Sequence, residues 1–291
     1  MIERKASRTA VLVCQGRAVA DGRLAVGRFA DPLAADLLHA DEREPVERVR
    51  AGERPAGFGP RMEFELLSGT AELMAARTVA IDDGVRDSAT AQLVLLGAGL
   101  DARAWRMPEL AATAVFEVDQ PASQQDKRAR LGDRTPLAKS LTFVPVDFAE
   151  DSLAARLAES GHDPGVPTTW IWEGVVPYLT PDQVAATTAL VAAASTPGSR
   201  FIITYPVPSP RNALGRKALG LLLRGARHPN PLANEPFRSS WTPPVLESLL
   251  AAHGFEVTTD IDLLTIARDL DITPGRPRFL STGRIAIADR P

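Results

Sequence analysis

LVLLGAGLDAR, residues 93–103, is the stretch on which the reading of this chain turns. Four apolar residues run directly into Gly97-Ala98-Gly99, and a short apolar run bounded by turn residues fits a strand buried on both faces. The two glycines carry no Cβ, so the backbone there can bend sharply and come close to a ligand. In open parallel sheets the ligand lies beyond the carboxyl ends of the strands, which is where this turn falls.

Working outward toward the C-terminus, further short apolar runs follow: AVFEVD (114–119), LTFVPVD (141–147), TTWIWEG (168–174) and SRFIITYP (199–206). They alternate with helical segments, which predicts βαβ units and a largely parallel sheet covered on both sides. A helix over 243–252, entered through Trp241-Thr242, leads to His253-Gly254 and a strand over 254–261, and a last strand covers 284–289. No long helix is expected between these two, so they can pair antiparallel at the sheet edge, for seven strands in all. The Pro-rich segment 206–240, with a short amphipathic piece at 213–223, reads as an insertion over one end of the sheet.

Toward the N-terminus the first ninety residues carry helical signals and no convincing strand. Helices are predicted over 9–19, 31–40 and 62–81, the second with Asp31 as N-cap and Pro32 at its first position. The charged, Gly/Pro-bearing stretch 41–60 is expected to be a connection or lid. The predicted architecture is therefore α/β: a seven-stranded, mostly parallel Rossmann-like sheet with an antiparallel last strand. A helical cap (1–90) packs on a core (91–291) that carries the insertion 206–240, the whole forming one integrated domain.

Composition narrows the function. The 291 residues include 33 Lys+Arg against 36 Asp+Glu, a formal net charge of −3, and 45% are hydrophobic. A chain of this length buries a substantial core without staples, and Cys14 is its single cysteine. Near-neutral charge with dispersed basic residues provides no field for nucleic acid. No apolar stretch reaches the length of a membrane span, and the charged first residues are not followed by a signal-type apolar core. The expectation is a cytoplasmic protein without nucleic-acid or membrane partners. His39, His162, His228 and His253 show no metal-type spacing, and no nucleophile elbow, HExxH or P-loop is present, so no metal is expected.

The glycine turn by itself has two readings. Gly97, Gly99 and Ala102 satisfy a loose dinucleotide fingerprint, and the next strand ends with Glu117 and Asp119, about twenty residues on, where an acid can accept both hydrogen bonds of a ribose diol. Three features favour a methyl-donor fold over a nicotinamide one. The last two strands lack a crossover helix, the turn comes after ninety helical residues, and acids also end the following strands (Asp147 and Glu173). A row of carboxylates suits a ligand with a ribose, an adenine amino group and a cationic centre, and repels a pyrophosphate.

LLGAGLDARAWRM, FEVDQP, VPVDF and WEGVVPYLTPDQV, in this order, together with the upstream SRTA (7–10), FADPLA (29–34) and ARTVAIDD (76–83), resemble the leucine carboxyl methyltransferase family. That family uses S-adenosylmethionine, yields S-adenosylhomocysteine, and includes bacterial natural-product carboxyl methyltransferases. The resemblance implies that Arg77 pairs with the methionine carboxylate and that Gly97, Ala98 and Gly99 form the turn beneath it. Asp119, with Glu117 behind it, would hold the ribose, and Asp147 and Phe148 would meet the adenine. Glu173 would lie near the donor's amino group, and Tyr178 would face the acceptor. Ala102 stands where the family more often has Thr, removing a hydroxyl near the turn.

A carboxylate acceptor is anionic at neutral pH and needs no general base, which agrees with the lack of an obvious catalytic histidine; a hydroxyl acceptor on a polyketide-like compound would usually need one. A carboxylate also needs a cationic or hydrogen-bonding clamp. Arg61, Arg211 and Arg238, which flank or lie in the cap-like segments, are candidates, as are the two tyrosines, Tyr178 and Tyr205. The leading expectation is methyl esterification of a small-molecule carboxylic acid.

Overall fold

Alternation along the strands fixes the layers. In β1 (Gln92–Leu96), Leu93 and Leu95 enter one apolar cluster while Val94 and Leu96 enter another on the opposite face. Both faces are dry, which is why the sequence reads as an unbroken apolar run. The same parity carries through β2 (Ala114–Asp119), β3 (Ser140–Pro145), β4 (Thr168–Trp172) and β5 (Arg200–Pro206). The computed structural model describes residues 7–147, 151–209, 237–275 and 277–291.

The sheet runs in the order β3-β2-β1-β4-β5-β7-β6, with β6 at Glu256–Asp262 and β7 at Gly283–Asp289. β1 to β5 are mutually parallel, and β7 pairs antiparallel with both β5 and β6. The expected seven-stranded sheet with an antiparallel last strand is the one observed. The order reverses between β1 and β4, so a crevice opens beyond their carboxyl ends.

Helices α1 (Arg8–Ala20), α2 (Ala40–Ala51) and α3 (Phe58–Ser88) share the cluster that contains Leu93, Leu95 and Ile171. α1 crosses α3 so closely that a Cβ on Gly16 would lie 2.7 Å from Thr70 Cγ2 and 2.9 Å from Met74 Cγ. The opposite face is covered by α6 (Leu153–Glu159), α7 (Pro181–Ala193) and α8 (Pro243–Ala252) through Leu153, Leu157, Val184, Val191, Leu246 and Leu250. α4 (Arg103–Arg106) and α5 (Pro121–Leu131) follow β1 and β2.

Two local expectations are overturned. The stretch expected as a helix over 31–40 forms turns and a bend over 32–38 instead, with Ala40 already in α2, because Asp31, the expected N-cap, is buried and accepts from Arg17 Nε at 2.8 Å. The expected connection 41–60 instead contains α2, whose capping box joins His39 and Glu42 and whose end is closed by Gly52 in the left-handed region. Pro45 inside α2 hid this helix from the sequence reading.

Candidate active site

Beyond β1 the chain turns through two left-handed glycines, Gly97 at φ 73° and Gly99 at φ 49°. A Cβ on Gly97 would lie 2.6 Å from Val175 Cγ2, so both conformation and space exclude a side chain there. The amides of Gly97 and Ala98 both donate to Val118 O, at 2.9 and 3.0 Å, which fastens the turn to the end of β2. The next residue on β2, Asp119, completes the join: Gly99 N donates to its Oδ2 at 2.6 Å and Gln120 N to its Oδ1 at 2.7 Å. The aspartate is thus held at one orientation with its carboxylate at the rim of the turn.

Period-two alternation continues past β4. Ile171 faces α3, and so does Glu173, which meets Arg77 Nε at 2.7 Å and Arg103 Nη1 at 2.9 Å. Arg103 also donates to Asp82 at 2.8 Å and pairs with Asp101, and Arg106 grips Asp82 at 2.6 and 2.9 Å. Arg17 of α1 joins the same region, donating to Asp31 and, through Nη2, to Leu100 O at 2.6 Å. Four guanidiniums therefore face four carboxylates under the glycine turn. Burial alone would raise the Glu173 carboxyl; Arg77, Arg103 and Arg17 overcome it and hold the group at about 2. Asp82 is likewise lowered by Arg106 and Arg103 against the opposing effect of burial.

A cavity of about 700 Å³ opens above these groups. Arg77, Gly97, Ala98, Gly99, Asp119, Glu173 and Tyr178 all line it, so the structure brings together seven of the residues singled out in the sequence. Of the other four, Glu117, Tyr205 and Asp147 do not line it. Glu117 is fully buried on the α5 side of β2, where its Oε2 accepts from Lys127 Nζ at 2.6 Å, and it does not reach the cavity. Burial pushes its carboxyl up to about 7 despite Lys127. Tyr205 has the parity of Phe201 and Ile203, so it points to the face covered by α8, and its hydroxyl donates to Asp260 Oδ2 at 2.6 Å. That placement takes it away from any acceptor in the cavity. Asp147 is exposed beyond β3, its amide donating to Asp151 Oδ2 at 2.8 Å; Asp151, Ser152 and Leu153 line the cavity in its place. Phe148 lies outside the described residues.

Of the clamp candidates, Arg61 is exposed on α3 and does not line the cavity, and Arg211 lies outside the described residues. Arg238 is exposed beside the turn that carries Tyr178, its amide donating to Pro177 O at 2.7 Å. Sequence reasoning missed Arg17, Asp101 and the stripe Gln183, Ala186, Thr187 and Leu190 of α7, all of which line the cavity. The α7 residues sit at i, i+3, i+4 and i+7, a single helix face whose mixed polarity masked it. Arg17 could have been suspected, since it is a charge on the same α1 face as Ala10, Val13 and Cys14.

A family model described as leucine carboxyl methyltransferase matches residues 10–192. A relative from Mycolicibacterium paratuberculosis, provisionally named an S-adenosyl-L-methionine-dependent methyltransferase, is 34% identical over 297 residues, covering 92% of this chain and 94% of its own. One from Mycobacterium sp. (strain JLS), with the same provisional name, is 37% identical over 211 residues, covering 69% of this chain and 67% of its own. Among solved structures, a DUF574 family protein from Streptomyces avermitilis covers 98% of both chains with a TM-score of 0.56 and 13% identity. A provisionally assigned methyltransferase from Thermobifida fusca covers 99% of this chain and 96% of its own, with a TM-score of 0.52 and 17% identity. At such identities these two likenesses concern the fold.

Proposed function

The chain belongs to the leucine carboxyl methyltransferase family and is an S-adenosylmethionine-dependent methyltransferase, and from that premise we propose that its acceptor is the carboxylate of a small molecule, converted to a methyl ester. The nicotinamide alternative has no support: the sheet order, with an antiparallel β7, departs from the all-parallel six-stranded dinucleotide fold. The residues present fit the methyl donor. A cavity of about 700 Å³ lies within the range of about 300–1,000 Å³ usual for small-molecule sites, and the cradle at Gly97 admits no side chain.

Asp119 would accept from the ribose hydroxyls, its orientation already set by Gly99 N and Gln120 N. Arg77 would take the methionine carboxylate. Its Nε and Nη2 are engaged by Glu173 and Met74, and Nη1 lies toward Gly174 at the cavity wall. Glu173, kept ionised by its arginines, would face the donor's ammonium group. Asp147 would serve the adenine end through the Asp151 and Ser152 segment to which it is bonded. Glu117 would act only indirectly, by holding the strand that carries Asp119. Residues 1–90 would form a cap over this site, fastened to the glycine turn by the Arg17 bond to Leu100.

S-adenosylmethionine, when bound, supplies a methyl group activated by the positive charge on sulfur, and leaves as S-adenosylhomocysteine. The chain must align the acceptor oxygen and exclude water. Tyr178 and the adjacent Arg238 would orient the acceptor carboxylate. One observation favours a carboxylate over a hydroxyl: among the described residues no histidine lines the cavity, and each carboxylate that does is already engaged, Glu173 by Arg77 and Arg103, Asp101 by Arg103, Asp151 by Arg156 and Asp119 by two backbone amides, which makes all four weak bases toward an alcohol. The family's name, from a carboxyl-methylating enzyme, points the same way.

The test is transfer of a labelled methyl group to a panel of carboxylic acids and matched alcohols. Label released as methanol by mild base identifies an ester, as expected. A base-stable product would identify an ether and remove the carboxylate reading.

A further inference from the structure

The cavity wall holds a second cation beside Arg77. Among the described residues Arg17 and Arg77 are the cationic side chains that line it, and both are nearly dry, 5% and 8% exposed. Each guanidinium is committed through two of its three nitrogens. Arg17 donates from Nε to Asp31 at 2.8 Å and from Nη2 to Leu100 O at 2.6 Å, and Arg77 donates from Nε to Glu173 at 2.7 Å and from Nη2 to Met74 Sδ at 3.2 Å. The third nitrogen of each, Nη1, has no hydrogen-bond partner among the described residues and is not sealed in the interior. Because both residues line the cavity, both Nη1 groups open into it. A guanidinium N–H left over in a dry wall is a donor suited to an anion.

Position narrows which anion. Leu100 directly follows Gly99, and α1 lies against the turn there, a Cβ on Gly99 being 3.3 Å from Ala10 Cβ. Arg17 is also near enough to Glu173 to help hold its carboxyl ionised. The two open donors therefore border the space between the glycine turn and Glu173. Charge narrows it further. Arg17, Arg77, Arg103 and Arg106 are balanced by Asp31, Asp82, Asp101 and Glu173. A lone anion or a lone cation would unbalance this buried cluster, whereas a zwitterion with its carboxylate on the guanidiniums and its ammonium group on Glu173 adds no net charge.

We infer that Arg17 is a donor-binding residue, its Nη1 holding the methionine carboxylate together with Arg77, so that the helical cap supplies part of the donor site. This rests on the placement of the methionine end at Arg77 and Glu173 proposed above. It gives Arg17 a task separate from its bond to Leu100 O: the first supports the carboxylate alone, the second the turn under the whole donor.

The experiment is calorimetry on the full chain with S-adenosylhomocysteine and with decarboxylated S-adenosylhomocysteine, which keeps the nucleoside and the ammonium group and lacks only the carboxylate. Arg17→Met is expected to weaken S-adenosylhomocysteine at least about tenfold and the decarboxylated analogue by less than about twofold. Removing one member of a buried pair strands the other, so Arg17→Met/Asp31→Asn, which removes both charges, is measured beside it. Retained affinity for the analogue shows that a variant is folded. Equal weakening of the two ligands would make Arg17 a prop for the turn, and unchanged S-adenosylhomocysteine affinity would take it out of the site; either result overturns the inference. Arg77→Met separates the inference from the reading beneath it. Carboxylate-selective loss in Arg77→Met alone removes Arg17 and leaves that reading standing, and selective loss in Arg17→Met alone does the reverse. No selective loss in any variant removes both.

Discussion

At the scale of single residues, Asp119 and Glu173 do different work with the same functional group. Asp119 is ordered by two amide donors at the cavity rim, so its charge is available to a ribose diol. Asp119→Ala is expected to weaken S-adenosylhomocysteine binding by about 1–3 kcal/mol, read by calorimetry; unchanged affinity would remove the residue from the site. Glu173 is buried between Arg77 and Arg103, and its removal strands two guanidiniums in a low-dielectric region. Glu173→Gln should therefore cost about 3 kcal/mol or more of folding stability in urea titrations, as well as donor affinity. The pH dependence has a definite sign. With its carboxyl lowered from 4.5 to about 2, the native state binds fewer protons than the unfolded chain in that window. Its contribution, about 3 kcal/mol by linkage, is complete above pH 4.5 and is lost as pH falls toward 2. A urea midpoint that stays constant from pH 5 to pH 2.5 would contradict this.

At the scale of elements, the glycine turn and β2 behave as one unit, since two amides of the turn and Asp119 close onto β2. Gly97→Ala combines a left-handed φ with a contact of 2.6 Å to Val175, whereas Gly99→Ala meets only Ala10 Cβ at 3.3 Å. Gly97→Ala is expected to be the more damaging by about 1 kcal/mol or more in thermal or urea unfolding; equal effects would mean that the turn relaxes freely. Behind β2, Lys127 of α5 neutralises Glu117 and lies 5.3 Å from the centroid of Trp105. Lys127→Met should cost about 3–5 kcal/mol because it leaves the acid buried and unpaired, and adding Glu117→Gln should recover much of the loss. Failure of the double variant to recover would place the stabilisation in the lysine's packing. The elements themselves were legible to different degrees. β1, β2 and α8 announced themselves through apolar runs and capping signals. α2 did not, because its charges and Pro45 imitate a loop, while the capping box at His39 and Glu42 and the Gly52 stop outweigh them. The supposed helix at 31–40 failed because Asp31 is claimed by Arg17, a partner fourteen positions away that no local rule anticipates.

At the scale of the whole molecule, order along the chain carried more than any single motif. Acids at the ends of successive strands, in a doubly wound order, converge because parallel strands bring their carboxyl ends to one edge, so Asp119 and Glu173 could be placed in one site from sequence. What sequence left open is what comes from other layers. Arg17 reaches the turn from α1, and Leu190 reaches the cavity from α7. Tyr205 turned to the far face because its strand ends one residue out of phase with the site. Ligand linkage provides a global check: S-adenosylhomocysteine at 100 times its Kd should add about 2.7 kcal/mol to unfolding stability, and NAD at the same concentration should add none. The most direct measurement is a crystal structure with S-adenosylhomocysteine bound. We expect the ribose hydroxyls at roughly 2.5–3.2 Å from the Asp119 carboxylate and the homocysteine end between Gly97 and Arg77. Density for the nucleoside elsewhere, or an Asp119 carboxylate turned away from it, would contradict the account.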